Sequence, residues 1–479
     1  MQNKKKNMLF RKKILLILLL VLTTFFLSGC LKKKGSKGYK VNMEIWGVFD
    51  DSSVFESLFG DYREGCRSIG ANFVTNMKYR KFTIEEYKKE LLDALAAGNG
   101  PDIFMIQNSW VPQFEDKIVP APVDILTEKE FRENFVDVAG QDLIGSKGEV
   151  YGVPLSVDSL VLYYNKDIFN ANEITRPPKT WIEFNQDVQK LTKLDEYGKI
   201  IQAGAAIGTA YNINRSTDIL NLLMLQNGVQ MPTREDPYPV FSKTGEASNV
   251  VDFYTQFAKI GSPVYTWNPH LHYSLDTFYE GKVAMMFNYS WHGKTIQKKN
   301  SKLNFGVAPL PQLDPNNPVG YSNYWVLVVA KNKQKPKDNR AVNNKGDMIL
   351  KGDDYQKARI NEDWEFLKYI AIKHNKKFTL KHAFSGKRKD FVVKDDPTEK
   401  YLKATNKPAA RRDLIEKQKN DPFLGSFVYE NLIAKDWYQT EAEAMENIWA
   451  ELINQINLGE ITSREAVKTA DVRMRQLIK

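Results

Sequence analysis

The sequence predicts an α/β protein of more than one unit, and three observations carry that prediction. From Tyr39 onward, short apolar stretches of strand character alternate with amphipathic stretches of helical period. A length of 479 residues gives room for two or three domains at about 150 residues each. The composition, 42% hydrophobic and 26% charged with a mean hydropathy of −0.45, excludes a disordered chain and a multispan membrane protein.

Residues 41–48 (VNMEIWGV) read as a strand. Helix follows over 53–68, where Val54, Leu58 and Tyr62 recur at i, i+4 and i+8, and 72–79 is a second strand. Thr83-Ile-Glu-Glu86 has the form of a capping box, Ile84, Tyr87, Leu91 and Leu95 share one helical face, and Gly98 ends that helix. Pro101 leads into a third strand to Ile106, completing a βαβαβ order that implies a parallel sheet covered by helices.

The second half repeats this character. Strands are predicted at 160–164, 283–288, 304–308 and 325–330. Helices are predicted at 249–260, at 274–280 and after a second capping box, Thr180-Trp-Ile-Glu183. Residues 331–356 are polar, with little apolar content, and read as a surface insertion. Beyond them only helices are apparent: 363–373, 409–418, 427–436, 441–458 and 462–478, the last opened by a Thr462 to Glu465 capping box.

The net charge of +10 is concentrated at one end. Residues 1–40 carry eleven Lys/Arg and no acid, leaving 57 basic against 58 acidic residues in the body, so no basic face is needed and nucleic acid is not expected as a partner. Lys4 to Lys13 is a basic region. The next 14 residues, 14–27, carry no charge, and the run ends in Leu27-Ser28-Gly29-Cys30, which is the anatomy of a signal peptide over 1–29. Leu-Ser-Gly-Cys resembles the lipobox of bacterial lipoproteins, which implies lipidation of Cys30 and a position on the extracytoplasmic face of the membrane. An uncleaved anchor is the alternative. Residues 30–40 would then be a basic tether. Cys66 is the other cysteine and reads as a buried, inert thiol, and a monomer is the default expectation.

No nucleophile elbow, phosphate loop, His-Glu-x-x-His, Cys-x-x-Cys or EF-hand loop is present, so no cofactor is expected. His270-Leu-His272 reads as a loop pair rather than a metal site. Ligands of open α/β sheets bind at the carboxyl ends of strands. Here those ends carry Trp46, Asn108 with Trp110, Asp158, Asn288 with Trp291, and Tyr324 with Trp325. Aromatic faces stack on pyranose rings while amides and carboxylates fix the hydroxyls.

The stretches Ala94-Leu-Ala-Ala-Gly-Asn-Gly-Pro-Asp-Ile-Phe104, Gly152-Val-Pro-Leu-Ser-Val-Asp158, Phe278-Tyr-Glu-Gly-Lys-Val-Ala-Met-Met-Phe287, Phe305-Gly-Val-Ala-Pro-Leu-Pro311 and Gly459-Glu-Ile-Thr-Ser-Arg-Glu-Ala466 resemble, in order, the family 1 extracellular solute-binding proteins. That family includes the maltose-binding-like components of ABC sugar importers. The resemblance implies a periplasmic-binding-protein-like fold of two lobes, each a mostly parallel sheet flanked by helices, with a hinge between them and a helical C-terminal region. The first lobe would comprise 41–154 plus 296–330, and the second 155–295 plus 357–479. It also implies a non-catalytic receptor that closes on a sugar and delivers it to a permease, with ligand contacts from Trp46, Asn108, Asp158, Asn288, Trp291, Tyr324 and Trp325. A cell-surface carbohydrate-active enzyme, needing a second acid beside Asp158, and a sensor without transport are the alternatives.

Overall fold

The computed structural model describes residues 38–331, 350 and 352–478. The expected signal peptide over 1–29, Cys30, most of the expected tether and most of the 331–356 segment lie outside the described residues. No helix among the described residues is long and apolar enough to cross a membrane.

Thirteen strands are described: β1 (Val41–Gly47), β2 (Val74–Lys81), β3 (Ile103–Gln107), β4 (Val161–Asn165), β5 (Lys193–Leu194), β6 (Ile200–Ala205), β7 (Val283–Asn288), β8 (Phe305–Ala308), β9 (Gly320–Tyr321), β10 (Trp325–Val329), β11 (Lys377–Lys381), β12 (Arg388–Val392) and β13 (Ala434–Lys435). The first sheet has the order β10-β3-β1-β2. Its strands β1, β2 and β3 are parallel, as the βαβαβ reading requires, and β10 joins antiparallel. The second sheet, β5-β6-β7-β4-β8, is mixed: β6 and β7 are parallel, but β4 runs against both its neighbours because the chain enters it directly from the first core without a crossover helix.

Two hydrophobic cores divide the molecule, and the chain passes between them three times. It leaves the first core after Val157 and enters the second at Leu160, returns between Tyr321 and Tyr324, and goes back over a longer stretch between Ile415 and Met445, where Phe427 and Trp437 pack in the second core and Val428, Ala434 and Ala442 in the first. These cores correct the boundaries expected from the sequence. Residues Ile296 to Leu310 belong to the second core, because β8 pairs with β4. Residues Ala358 to Ile415 belong to the first, because helix Gly352–Ala371 seals the first sheet. That helix begins at Gly352, so residues 352–356 are its first turn rather than part of a surface insertion.

The expectation of helices alone beyond residue 356 is also overturned, since β11 and β12 form an antiparallel hairpin. Its buried residues Phe378, Leu380 and Phe391 alternate with Lys377, Thr379, Lys381, Asp390 and an exposed Val392, so one face is buried and the other solvated. The hairpin lies on helix Ser52–Ser68 where Gly65 lets Phe391 approach, because a Cβ at Gly65 would come within 2.3 Å of the Phe391 ring. In a helix, Gly→Ala normally gains about 1 kcal/mol. Here overpacking outweighs it, and Gly65→Val is expected to cost about 1–3 kcal/mol in urea unfolding, with the single variant F391A leaving space for the valine in the double mutant. Cys66, next in sequence, is buried, and burial pushes its thiol up to about 12, which keeps it protonated.

The three capping boxes diverge. Thr462 and Glu465 form the reciprocal pair. Thr180 accepts from the Glu183 amide, but the Glu183 carboxylate turns to Arg176 and the Lys179 amide. The Thr83 side chain makes no bond to its helix backbone, and its hydroxyl donates instead to the Glu86 carboxylate.

Candidate functional site

The three passages between the cores lie side by side and are stitched by Asn431. Its Nδ2 donates to the Val157 and Ala409 carbonyls, and its Oδ1 accepts from the Ser159 hydroxyl at 2.7 Å. The Asn323 amide donates to the Asp158 carbonyl, the Leu160 amide to Tyr321, and β9 pairs with β13 in parallel. Two of the passages are extended backbone and the third runs through helix Leu424–Ile433 into β13, so connecting segments join two packed bodies, which is the construction of a hinge.

Two groups of aromatic side chains stand near the passages, one on each core. From the first core, the turn after β1 presents Phe49, 52% exposed, whose ring meets the edge of Trp325 at 5.3 Å. Trp325 in turn meets Trp110 at 5.4 Å, and the Lys88 ammonium lies over Trp110. These rings come from the carboxyl ends of β1 and β3 and the amino end of antiparallel β10, so they gather on one edge of the sheet. From the second core, β7 ends in Asn288 and turns through Tyr289 and Ser290 to Trp291, which is 51% exposed.

Asp158 joins the two groups. Its carboxylate accepts from the Ser290 amide at 3.0 Å and the Ser290 hydroxyl at 2.7 Å, so the first passage is bonded to the β7 turn. Burial pushes its carboxyl up to about 7, while the Ser290 hydroxyl, its amide and the Lys407 charge pull the other way. Lys407 also bonds to Asp50, beside Phe49, which ties the same edge to the third passage.

Around the Asp158 turn lies a further polar chain that sequence reasoning left out. Asn288 is buried and donates to Asn214 Oδ1 at 3.1 Å, and His292 Nε2 lies 3.3 Å from the same oxygen. Arg215, the N-cap of helix Ser216–Gln226, sits in left-handed backbone at φ 60°. Asp218 in the first turn of that helix accepts from the Tyr289 hydroxyl at 2.7 Å. His292 was visible only as the neighbour of Trp291. Asn214 and Arg215 lie in the loop after β6, where exposed Tyr211 is the nearest aromatic and no motif marks them.

The other predicted residues have different fates. Trp46 is 5% exposed and packs in the first core against Phe82, with Arg80 over its ring. It lies on a central strand covered on both faces, so the expected cleft contact is corrected to core packing. Tyr324 is buried, and its hydroxyl donates to Asp142 at 2.7 Å. Asn108 is buried too. Its amide donates to both Asp142 and Asp436 and lines a separate cleft of about 450 Å³ with Ser109, Gln141, Arg234, Trp437 and Gln439. Burial pushes Asp142 up to about 6 and Asp436 well up, the latter helped by the Asp142 charge. That cleft is of mixed polar and apolar character, with Trp437 and Tyr438 in its lining, and Phe49, Trp325 and Trp291 lie outside it. His272 pairs with Glu280 on the surface at 3.1 Å, which accounts for one member of the His270–His272 pair.

The relatives agree with this architecture. The chain is 23% identical over 278 residues to the maltotriose-binding protein of Pyrococcus abyssi, covering 58% of this chain and 53% of that one. It is 26% identical over 278 residues to the maltodextrin-binding protein MdxE of Bacillus subtilis, covering 53% and 59%. The chain thus spans about half the length of the curated relatives it matches. These relatives are binding proteins by name, not enzymes. Among solved structures, a cyclo/maltodextrin-binding protein complexed with maltotetraose superposes over 93% of this chain and 99% of its own, with a TM-score of 0.67 at 17% identity. The sugar-binding protein MalE of Xanthomonas citri follows over 91% and 97%, with a TM-score of 0.64 at 17% identity. These two likenesses support the two-lobed α/β fold expected above. The model of the bacterial extracellular solute-binding protein family matches residues 83–343, more than half of the chain, and the chain belongs to that family.

Proposed function

We propose that this protein captures an oligosaccharide between its two lobes and delivers it to the permease of an ABC importer, from a position on the extracytoplasmic membrane face where Cys30 carries a lipid anchor. The observation that carries this reading is the pairing of exposed rings on opposite sides of the hinge, Phe49 with Trp325 on one and Trp291 on the other, around the Asp158 carboxylate. A pyranose ring has apolar faces for the aromatics and hydroxyls for the carboxylate. Contacts made to both lobes at once exist only in the closed form, so ligand binding would draw the hinge shut.

Thermal unfolding in the presence of maltotriose, maltotetraose and mannobiose tests the capture step, since a ligand at 100 times its Kd adds about 2.7 kcal/mol. A shift with one of these sugars and none with a peptide or a polyamine is expected; no shift with any sugar overturns the reading. Trp291→Ala should weaken the bound sugar by about ten- to a hundredfold and leave the unliganded Tm within a degree or so, because half of that side chain is in water. Equal uptake of the sugar by cells lacking this chain would sink the transport step. Cys30→Ala should release the protein from the membrane fraction.

A further inference from the structure

The first described residues of the chain pack against the tip of the β11–β12 hairpin. Tyr39 is buried there; its ring stacks on Phe73 at 4.6 Å and meets the edges of His382 and Phe384 at 5.1 and 5.4 Å. Its hydroxyl donates to Glu362 and accepts from the Ala383 amide at 3.3 Å. The turn is also held from within. His382 Nδ1 accepts from the Phe384 and Ser385 amides, the His382 amide donates to the Lys387 carbonyl, and Gly386 takes the left-handed φ of 63° that reverses the chain. The tip is therefore a firm projection tied to the point where the N-terminal tether joins the body.

The hairpin is also where positive charge collects. Residues 373–394 carry eight Lys/Arg and one acid, Asp390, and leave the rest of the body from residue 41 with 49 Lys/Arg against 57 Asp/Glu. A positive patch thus stands on an otherwise negative molecule. Lys387, Arg388 and Lys389 follow one another at the tip, all exposed. Arg388 and Lys389 donate to the carbonyls of Asp124 and Ile69, which do not neutralise them. Lys357 adds a fourth charge, its ammonium 5.7 Å from the Phe384 ring centroid. The acids nearby are paired elsewhere on the hairpin: Asp390 with Lys377, Asp124 with Lys381 and Glu64 with Lys394.

Only eight residues, 31–38, separate Cys30 from Tyr39. Fully extended they span about 30 Å, and as a flexible coil about 17 Å on average. A lipid on Cys30 thus keeps the tip close to the headgroups, where an anionic surface favours each added Lys or Arg by about fivefold. We propose that the tip of the β11–β12 hairpin rests on the anionic headgroups of the bilayer that holds Cys30, so that the membrane grips the first core at two points. The inference rests on the Cys30 anchor proposed above and adds an electrostatic contact to it. The tether supplies a high local concentration of surface, which makes a weak second contact effective, and the tip fixes which side of the first core faces the bilayer.

The test is co-sedimentation of the full chain carrying Cys30→Ala with phosphatidylcholine vesicles, with and without phosphatidylglycerol, at low salt and at about 1 M salt, where the Debye length is about 3 Å. Two charge-matched variants are compared in that background: K387Q/R388Q/K389Q at the tip, and K298Q/K299Q/K302Q, three exposed lysines of the second lobe. The parent is expected to bind phosphatidylglycerol vesicles at low salt and to leave them at high salt. The tip variant should bind them about a hundredfold more weakly with an unshifted Tm, and the second-lobe variant should match the parent. Undiminished binding by the tip variant, equal loss in both variants, or release by inorganic phosphate at constant ionic strength overturns the docking and leaves the anchor intact. Salt-washed cell membranes that retain Cys30→Ala as fully as the wild type overturn the anchor instead.

Discussion

Replacing Arg359 by methionine is expected to cost about 3–5 kcal/mol of stability, measured as a lower urea midpoint of the transition that reports the first core. Arg359 is fully buried on helix Gly352–Ala371. Its guanidinium donates to Asp363 at 2.9 Å and to the Ala330 carbonyl at 2.7 Å, and lies 3.8 Å from Asp102. Asp102 in turn accepts from the Glu44 amide at 2.8 Å. One cation therefore clamps the helix to the start of β3, the neighbouring β1 and the end of β10. Methionine fills much of the volume but takes away the charge that two buried carboxylates face, and those carboxylates then bear the desolvation cost. Replacing Asp363 by leucine in the same chain should recover part of the loss, because an apolar pair tolerates burial that a lone carboxylate does not. An R359M variant with the wild-type midpoint would show that this clamp contributes nothing.

The second large effect is on pH dependence. Burial pushes Glu362, Glu365 and Glu430 each up to about 8. Glu362 accepts from the Tyr39 hydroxyl, Glu365 from the Lys381 amide and Glu430 from the Leu310 amide, and none of the three bonds offsets the loss of water. A carboxyl raised in the fold holds its proton where the unfolded chain has released it. Its stabilising contribution is full below the ordinary value near 4.5 and is lost as pH rises through about 8. Buried His292 acts the other way, since its depressed value makes stability rise with pH up to about 6.5. Above that point the raised acids alone remain, each worth about 1.4 kcal/mol per pH unit until it ionises. Between about pH 4.5 and 6.5 three acids lose stability against one histidine gaining it, so the Tm is expected to fall from about pH 5 and to level off above about pH 8. Glu362→Gln should flatten this decline, and a Tm that climbs between pH 7 and 9 would refute this account.

Much of this protein was determined by the order of its residues. The βαβαβ start, strands β4, β7, β8 and β10 and the Thr462 capping box follow from local period and turn chemistry, which are properties of a few adjacent side chains, whereas β5, β6 and β9 went unpredicted. Asp158 and Trp291 were legible as well, because strand ends in an α/β protein are where polar and aromatic residues have no packing reason to cluster. What only the tertiary structure decided depends on contacts between distant segments. The β11–β12 hairpin has a weak strand pattern of its own and exists because Phe391 finds Gly65, 326 positions earlier in the chain. The lobe boundaries moved because helix Gly352–Ala371 is anchored by a buried cation to strands formed some 250 residues before it. Trp46 and Trp291 look alike in sequence, yet one is sealed between two layers and the other stands in water, and burial is a property of the assembled sheet, not of the residue.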